Sequence, residues 1–289
     1  MGFRVNTNVD ALKAYQQLAN ANRMTAKAQL RMASGKRILS VADDTSGFNI
    51  GTSLKGKVAV MKGAQGNIAS AKNLLSTAEG GLLSINDLIT QIEGKLSDAT
   101  NPTTDRTSLA SDINALANEI SSIFSNTKFN NTSLLSGSAS QGGFSFQVGE
   151  AGDTLNLNFA NSISSSGGAG QSSAVSGQIG SFTSTTVTSA ASLASSTIVS
   201  SLNTTVGNLK GIVTNALGNI GNFSQRLDIK DDTLNVAITN AQSSISRLFD
   251  ADMAAEQLNA TKGTILQQSA TAMLAQLNVS PQQVLQLFG

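Results

Sequence analysis

The sequence lacks cysteine, histidine and tryptophan entirely, and it contains a single tyrosine. Without histidine and cysteine, the usual zinc and soft-metal ligand sets cannot be assembled. The Ser-His-Asp and Cys-His arrangements of nucleophilic enzymes are excluded for the same reason, and no disulfide can form. We therefore expect no enzyme activity, no metal and no cofactor.

Charge is scarce as well. Charged residues are 13% of the chain, against roughly 25% in a typical soluble domain. The net charge of +1 gives no electrostatic footprint for nucleic acid. No stretch approaches the ~18 apolar residues of a membrane span, and the N-terminus has no apolar core of the kind a cleaved signal peptide needs. These signals alone predict a soluble cytoplasmic protein with neither nucleic acid nor membrane as a partner.

What the sequence does contain is a long seven-residue repeat of apolar residues. Its first series is Leu54, Met61, Ile68, Leu75, Leu82, Ile89 and Leu96. A second series, three residues later each time, begins with the polar Lys57 and is apolar from Ala64 to Ala99. A seam sustained over this many heptads is typical of coiled-coil packing, so we predict one long helix over about 45–100.

A second heptad seam runs near the other end of the chain and predicts a helix over about 195–249. Its first series is Val199, Val206, Val213, Ile220, Leu227, Leu234, Ala241 and Leu248. Between the two long helices, Pro102 ends the first one, and Thr104 or Asp105 can cap a shorter helix over about 104–128. The short connection favours antiparallel packing, and the sequence therefore predicts a long antiparallel coiled-coil rod of three helices.

The apolar period changes to two after the short helix. Phe144, Phe146 and Val148 alternate with polar residues, and a similar alternation ends at Phe159. Turn-forming residues separate the two runs, so we predict a small β-hairpin over about 143–160. The Ser/Thr/Gly-rich segment of about 161–195 has sparse apolar residues. Its composition favours an exposed segment over a small folded domain.

Both ends of the chain carry thin, alanine-rich heptad lines. The N-terminal line is Val5, Leu12, Ala19, Ala26 and Ala33, and the C-terminal line is Leu266, Ala270, Met273 and Leu277. Isolated helices of this kind are marginal in water, so they need a partner, either each other or another copy of the chain. We predict a mainly α fold with two domains. Residues 1–44 and 250–289 pair as an inner helical domain, and residues 45–249 form the rod domain.

Two local features could be mistaken for functional sites. Asp43 and Asp44 are adjacent carboxylates near a glycine-containing turn, but no further converging ligands are evident, so we assign them to helix capping and turn hydrogen bonds. Gly47 and Gly51 are four residues apart. Outside an apolar membrane span, this spacing indicates close helix packing.

Several motifs resemble those of bacterial flagellins. Residues 34–47 are similar to the family signature S-S-G-x-R-I followed by A-x-D-D-x-x-G, and residues 77–86 are similar to T-x-E-G-A-L-x-x-I-N. The remaining matches are Asn126–Asn130, Leu134–Gly137, Phe146–Gly149, Ile265–Ala270, Leu274–Gln276 and Pro281–Leu285. Together they cover the first 160 residues and the last 90 or so of a chain that would lack the large outer domains.

The resemblance implies a structural subunit that polymerises into the flagellar filament for motility, its terminal helices lining the filament core. It also implies type III export without a cleaved signal peptide, which would replace the cytoplasmic prediction with an extracellular one. The implied partners are other copies of the chain, the filament cap, hook-associated junction proteins, an export chaperone and other flagellins of the same filament. The alternative is a hook–filament junction protein.

The resemblance also carries a prediction about host recognition. Many flagellins are detected by an animal Toll-like receptor through a helix patch that runs L-Q-R-V-R-E-L, with an acidic residue on the neighbouring helix. The matching positions here include Gln91, Gly94 and Lys95, which depart from that pattern, and Asp112, which keeps the acidic charge. We expect weak receptor activation or none.

Overall fold

A computed structural model describes residues 8–135, 143–150, 152–157 and 193–288 of the chain. This part of the molecule consists of five helices and two antiparallel strand pairs. The elements are α1 (Val9–Ser34), α2 (Thr45–Ala99), α3 (Arg106–Asn126), β1 (Lys128–Phe129), β2 (Thr132–Ser133), β3 (Phe144–Gln147), β4 (Thr154–Leu157), α4 (Ser196–Phe249) and α5 (Met253–Phe288). The prediction of a mainly helical chain whose two terminal helices pack together is confirmed.

The chain divides into two compact units. One comprises residues 1–58 and 239–289, and the other comprises residues 59–238. The domain boundaries predicted from the sequence lie instead at the helix breaks near residues 44 and 250, and they stay a prediction. Within the described ranges, no helix is both long enough and apolar enough to cross a membrane.

In the unit formed by residues 59–238, α2 and α4 are antiparallel. Glu93 of α2 forms an ion pair with Lys210 of α4 at 2.6 Å, whereas Lys72, earlier in α2, pairs with Asp228, later in α4, at 2.7 Å. Hydrogen bonding and charge from Asp228 raise the pKa of Lys72. These pairs flank the apolar seam and set the register of the two helices.

The apolar heptads supply the seam between these helices. The buried seam positions on α2 include Met61, Ala64, Ile68, Ala71, Leu75, Ala78, Leu82, Ile85, Ile89, Ile92, Leu96 and Ala99, and those on α4 include Val199, Leu202, Val206, Leu209, Val213, Ala216, Ile220, Leu227, Leu234 and Ile238. Leu74 and Ile212 are buried as well. Leu54, Ala241 and Leu248 are half-buried, and Lys57 is exposed. Val58 is buried in place of Lys57, because the seam shifts by one residue there and keeps the charge in solvent.

Asp105 caps α3, as one of the two predicted candidates. Its carboxylate accepts hydrogen bonds from the backbone N–H of Thr107 at 3.0 Å and from the hydroxyl of Ser108 at 2.7 Å. The Ser108 hydroxyl and these backbone donors lower the pKa of Asp105. The cap satisfies donors that the first helical turn leaves unpaired, so α3 begins directly after the break at Pro102.

The strands form two short hairpins. The predicted one pairs Phe144 with Leu157 and Gln147 with Thr154. Asn67 of α2 donates a hydrogen bond to the backbone carbonyl of Gln147 at 3.1 Å, which holds this hairpin against the helix. Phe159 and residues 161–192, most of the predicted exposed segment, lie outside the described residues.

The other hairpin, β1–β2, was not predicted. Its turn residues are Asn130 and Asn131, with φ values of 48° and 61°. Both values lie in the left-handed region, which asparagine tolerates and which a two-residue hairpin turn of the favoured type requires. Because each strand has only two residues, no alternation is available to find them from the sequence.

Candidate functional site

The terminal helices α1 and α5 form an antiparallel pair. Asn8, the N-cap of α1, donates a hydrogen bond to the backbone carbonyl of Leu277 at 3.1 Å, while Arg31 near the other end of α1 pairs with Glu256 of α5 at 3.1 Å. The seam between them consists mostly of small side chains. Its buried members are Ala14, Ala21, Thr25, Ala28, Glu256, Ala260 and Gly263. Such a seam removes little apolar surface from water, so the pair is weakly held by its own packing.

The N-terminal heptad line predicted from the sequence does not lie in this seam. Leu12 and Leu30 are each nine residues from the buried Ala21, which places them about 180° around the helix from it at about 100° per residue. Leu12, Tyr15 and Leu30 expose 60%, 62% and 59% of their surface. We call these three residues the α1 ridge. Ala26 and Ala33 are also exposed, Ala19 is half-buried, and Val5 lies outside the described residues.

On α5, the predicted line divides between two environments. Ala270 and Leu277 are half-buried against α1, whereas Leu266 and Met273 are exposed. The exposed pair contributes to an open groove of about 420 Å³ between the two helices. We call it the α1–α5 groove; it is lined by Gln17, Asn20, Ala21, Met24, Leu266, Ser269, Ala270 and Met273. The pair therefore presents an apolar ridge on one face and a partly apolar groove on another.

Next to this pair, the turn between α1 and α2 is hydrogen-bonded to the turn between α4 and α5. The backbone N–H of Arg37 donates to the carbonyl of Phe249 at 2.6 Å, and the N–H of Ala251 donates to the carbonyl of Gly35 at 2.9 Å. Lys36 and Asp250 face each other between these bonds. These hydrogen bonds therefore hold the break between α1 and α2 beside the break between α4 and α5.

Phe249 fixes these turns to the start of α2. Its ring is buried against Gly51, where an added Cβ would overlap the ring. The ring of Phe48 meets it edge-on at 6.1 Å, and the Lys55 ammonium lies 4.0 Å from its centroid. The Gly47/Gly51 spacing therefore reflects close packing at Gly51, as predicted, with an aromatic side chain as the partner.

Asp43 holds the α1–α2 turn. Its carboxylate forms an ion pair with Lys27 at 2.7 Å and accepts hydrogen bonds from the backbone N–H groups of Leu39 and Ser40 at 3.1 and 3.2 Å. The Lys27 ammonium, together with these backbone donors, lowers the pKa of Asp43 to about 2. Asp43 therefore stays ionised at neutral pH and organises the turn.

Asp44 has a capping role beside it. Its carboxylate accepts a hydrogen bond from the backbone N–H of Gly47 at 2.9 Å, in the first turn of α2. The assignment of both aspartates to turn and cap hydrogen bonds is confirmed. No group of three or more potential metal-ligating carboxylates occurs in the part of the chain that the structure describes.

The link between this turn and α5 could not be predicted from the sequence. Arg31 lies 3.1 Å from Glu256 and 4.0 Å from Asp43, so one guanidinium joins α1, the turn and α5. Glu256 is buried. A buried carboxylate is stable only with such a partner. The 225 residues that separate Arg31 from Glu256 leave no local signal for the pair.

Comparison with known proteins decides the family. The bacterial flagellin N-terminal helical region matches residues 5–140, and the corresponding C-terminal helical region matches residues 203–288. The flagellin of Listeria monocytogenes is 30% identical, with 99% of each chain covered. This chain belongs to the bacterial flagellin family. The flagellin of Bacillus subtilis is 29% identical, again with 99% of each chain covered.

A solved structure shares the flagellin-type fold. A Vibrio parahaemolyticus chain described as a flagellar hook-associated protein superposes with a TM-score of 0.53, covering 72% of this chain and all of that one. At 18% identity, the match concerns the fold alone. The full-length flagellin relatives support a structural subunit of the flagellar filament, and the hook-associated alternative has less support.

The four receptor-patch positions of this flagellin-family chain lie on α2 and α3. Gln91, Gly94 and Asp112 are exposed, whereas Lys95 is half-buried. The Lys95 ammonium lies 2.6 Å from the Asp112 carboxylate. The structure thus brings two of the four positions into direct contact, and it pairs the acidic one with a cation of the same chain.

Proposed function

We propose that the α1–α5 pair is the contact through which this chain polymerises, with the α1 ridge of one subunit packing against the terminal helices of the next. The observation that carries the proposal is the exposure of three large apolar side chains on the side of α1 that faces away from its buried seam. Burying each of them would contribute about 1.5–3 kcal/mol. An exposed apolar surface of this kind marks an interaction site.

The positions of the ridge and the groove support an open polymer. The ridge lies on the side of α1 opposite the intrachain seam, and the groove lies beside that seam. A contact between two different faces is heterologous, and a heterologous contact that does not close into a ring generates a helical filament. The filament that flagellins form requires an open assembly of this kind.

Family membership supports the remaining roles. We propose that residues 1–44 and 250–289 form the filament core and residues 45–249 an outer layer. In this proposal, the chain is not an enzyme, and it leaves the cell through the flagellar type III apparatus without a cleaved signal peptide. Its further partners are the filament cap, hook-associated junction proteins, an export chaperone and other flagellins. The filament places it outside the cell.

Negative-stain electron microscopy of the purified, concentrated chain tests the proposed function. We expect long filaments, whereas short caps or persistent monomers would favour a hook–filament junction protein. The double variant Leu12→Gln/Leu30→Gln should raise the concentration needed for assembly by about tenfold or more, because a polar amide replaces each leucine that the contact between subunits would bury. Since both leucines are exposed in the subunit, helicity by circular dichroism should not change.

The matched control is Leu83→Gln, which replaces an exposed leucine on α2. This variant should assemble at nearly the wild-type concentration. An equal effect at Leu83 would mean that surface apolar content in general, and not the α1 ridge, drives polymerisation.

A further inference from the structure

Two of the six methionines line the α1–α5 groove, one on each helix. Met273 of α5 exposes 59% of its surface, and Met24 of α1 is half-buried. Met253 is 50% exposed but does not line the groove, and Met61 is 4% exposed in the α2 seam. The chain therefore offers an exposed methionine inside the groove, an exposed one outside it, and a buried one.

An accessible thioether reacts with hydroperoxides. The sulfur lone pair attacks one peroxide oxygen, an S–O bond forms, and the O–O bond breaks; with hydrogen peroxide, proton transfer releases water. The sulfur loses two electrons to become a sulfoxide, and the peroxide is reduced. The product is polar and chiral where the methionine was apolar, and sulfoxide reductases can restore the thioether. Exposure determines which methionines react first.

We propose that Met273, with Met24 in the same groove, is a reversible oxidation site that controls subunit addition. In the unassembled chain, a hydroperoxide converts Met273 to its sulfoxide. The S–O group then has to be desolvated when the next subunit packs against the α1–α5 pair, which disfavours the contact. The inference rests on the proposed role of this pair in assembly.

Assembly should also protect the site. A subunit seated on the groove covers Met273, so its oxidation in preformed filaments should be about tenfold slower than in the free chain. Met61, which is buried within one chain, should react slowly in both states. Oxidation at equal rates in filament and free chain would contradict the placement of Met273 in the contact.

The experiment treats the full-length free chain with dilute hydrogen peroxide and maps each sulfoxide by peptide mass spectrometry. Assembly is then followed by light scattering and sedimentation. We expect assembly to fall in proportion to Met273 oxidation, with a rise of about tenfold in the required concentration. Treatment with a methionine sulfoxide reductase should reverse the loss.

Three variants test which methionine causes the loss of assembly after peroxide: Met273→Leu, Met24→Leu/Met273→Leu and the control Met253→Leu. After peroxide, each of the first two should assemble as the same variant does without peroxide, with the double variant the more resistant, whereas Met253→Leu should lose assembly as the wild type does. Normal assembly of wild type fully oxidised at Met273, or equal loss in Met273→Leu, would overturn this inference alone. Failure of the untreated wild type to assemble would overturn the proposed function, and this inference with it.

Discussion

Gly263 of α5 packs directly against Thr25 of α1. A Cβ at position 263 would lie 3.3 Å from both the Cβ and the backbone nitrogen of Thr25, and closer still to its hydroxyl oxygen. That hydroxyl donates to the carbonyl of Ala21 at 2.9 Å, which fixes its position. The two helices can therefore approach this closely only because residue 263 has no side chain.

Gly263→Ala should weaken the α1–α5 pair. The added methyl group overpacks the contact with Thr25 by about 1–3 kcal/mol, more than the roughly 1 kcal/mol that alanine gains in helix propensity. Gly56→Ala is the control, because in the described structure a Cβ at that position meets no side chain and no other element within 4 Å. Hydrogen exchange of α1 and α5 in filaments should accelerate in the first variant only. Unchanged exchange in Gly263→Ala would show that the α1–α5 pair accommodates the added methyl group without losing stability.

Phe249→Ala should destabilise the chain by about 3–5 kcal/mol, because a buried aromatic ring is lost and a cavity is left beside Gly51. Gly51→Ala should also destabilise, since its methyl group would displace the same ring. Gly63→Ala, which adds a methyl group in open space on the same helix, should be neutral or stabilising. Urea unfolding of the three variants measures the difference. A tolerated Gly51→Ala would contradict the packing described for Phe249.

Acid should loosen the turn that Asp43 organises. Its pKa is about 2 in the folded chain, against the ordinary 3.8. The ionised carboxylate therefore stabilises the folded state above about pH 4, and this contribution is lost as pH falls toward 2. Asp43→Asn should be less stable than wild type at about pH 6, and the two unfolding curves should converge near pH 2. A difference that is independent of pH would mean that the charge of Asp43 is not involved.

The chain should activate the flagellin-sensing Toll-like receptor weakly or not at all. Gln91 lacks the charged fork of an arginine, and Gly94 offers no side chain. Lys95 places a charge where the family pattern has leucine and already pairs with Asp112 at 2.6 Å. A reporter-cell assay on monomeric chain measures the response. Potency equal to that of a flagellin with the full patch would refute this prediction.

The long helices could be predicted because their patterns leave one solution. On α2, the seven-residue series that contains Ile68, Ile89 and Leu96 is the one series whose members from Leu54 on are all large apolar residues. One face of the helix is therefore favoured for the seam. The prediction failed locally at Lys57, where a strict count of seven placed a charge in the seam. The one-residue shift to Val58 reflects the 3.6-residue turn of a real helix, which drifts against a seven-residue repeat.

The terminal pair could be predicted only in part. Alanine occurs on several sides of α1. The sequence pattern therefore does not favour the face of Ala14, Ala21 and Ala28 over the face of the Leu12 heptad line. Pattern alone cannot separate a seam within the chain from one between chains. The Arg31–Glu256 pair and the fit of Phe249 to Gly51 depend on residues about 200 positions apart, and no local sequence pattern indicates these contacts.

We infer that α1 and α5 obtain their stability from neighbouring subunits. Their alanine seam buries too little surface to repay the ordering of two helices in a single chain. Amide hydrogen exchange on monomer and filament, followed by mass spectrometry, measures this dependence. We expect weak protection of α1 and α5 in the monomer, strong protection in the filament, and strong protection of α2 and α4 in both. Full protection of α1 and α5 before assembly, or no gain on assembly, would contradict it.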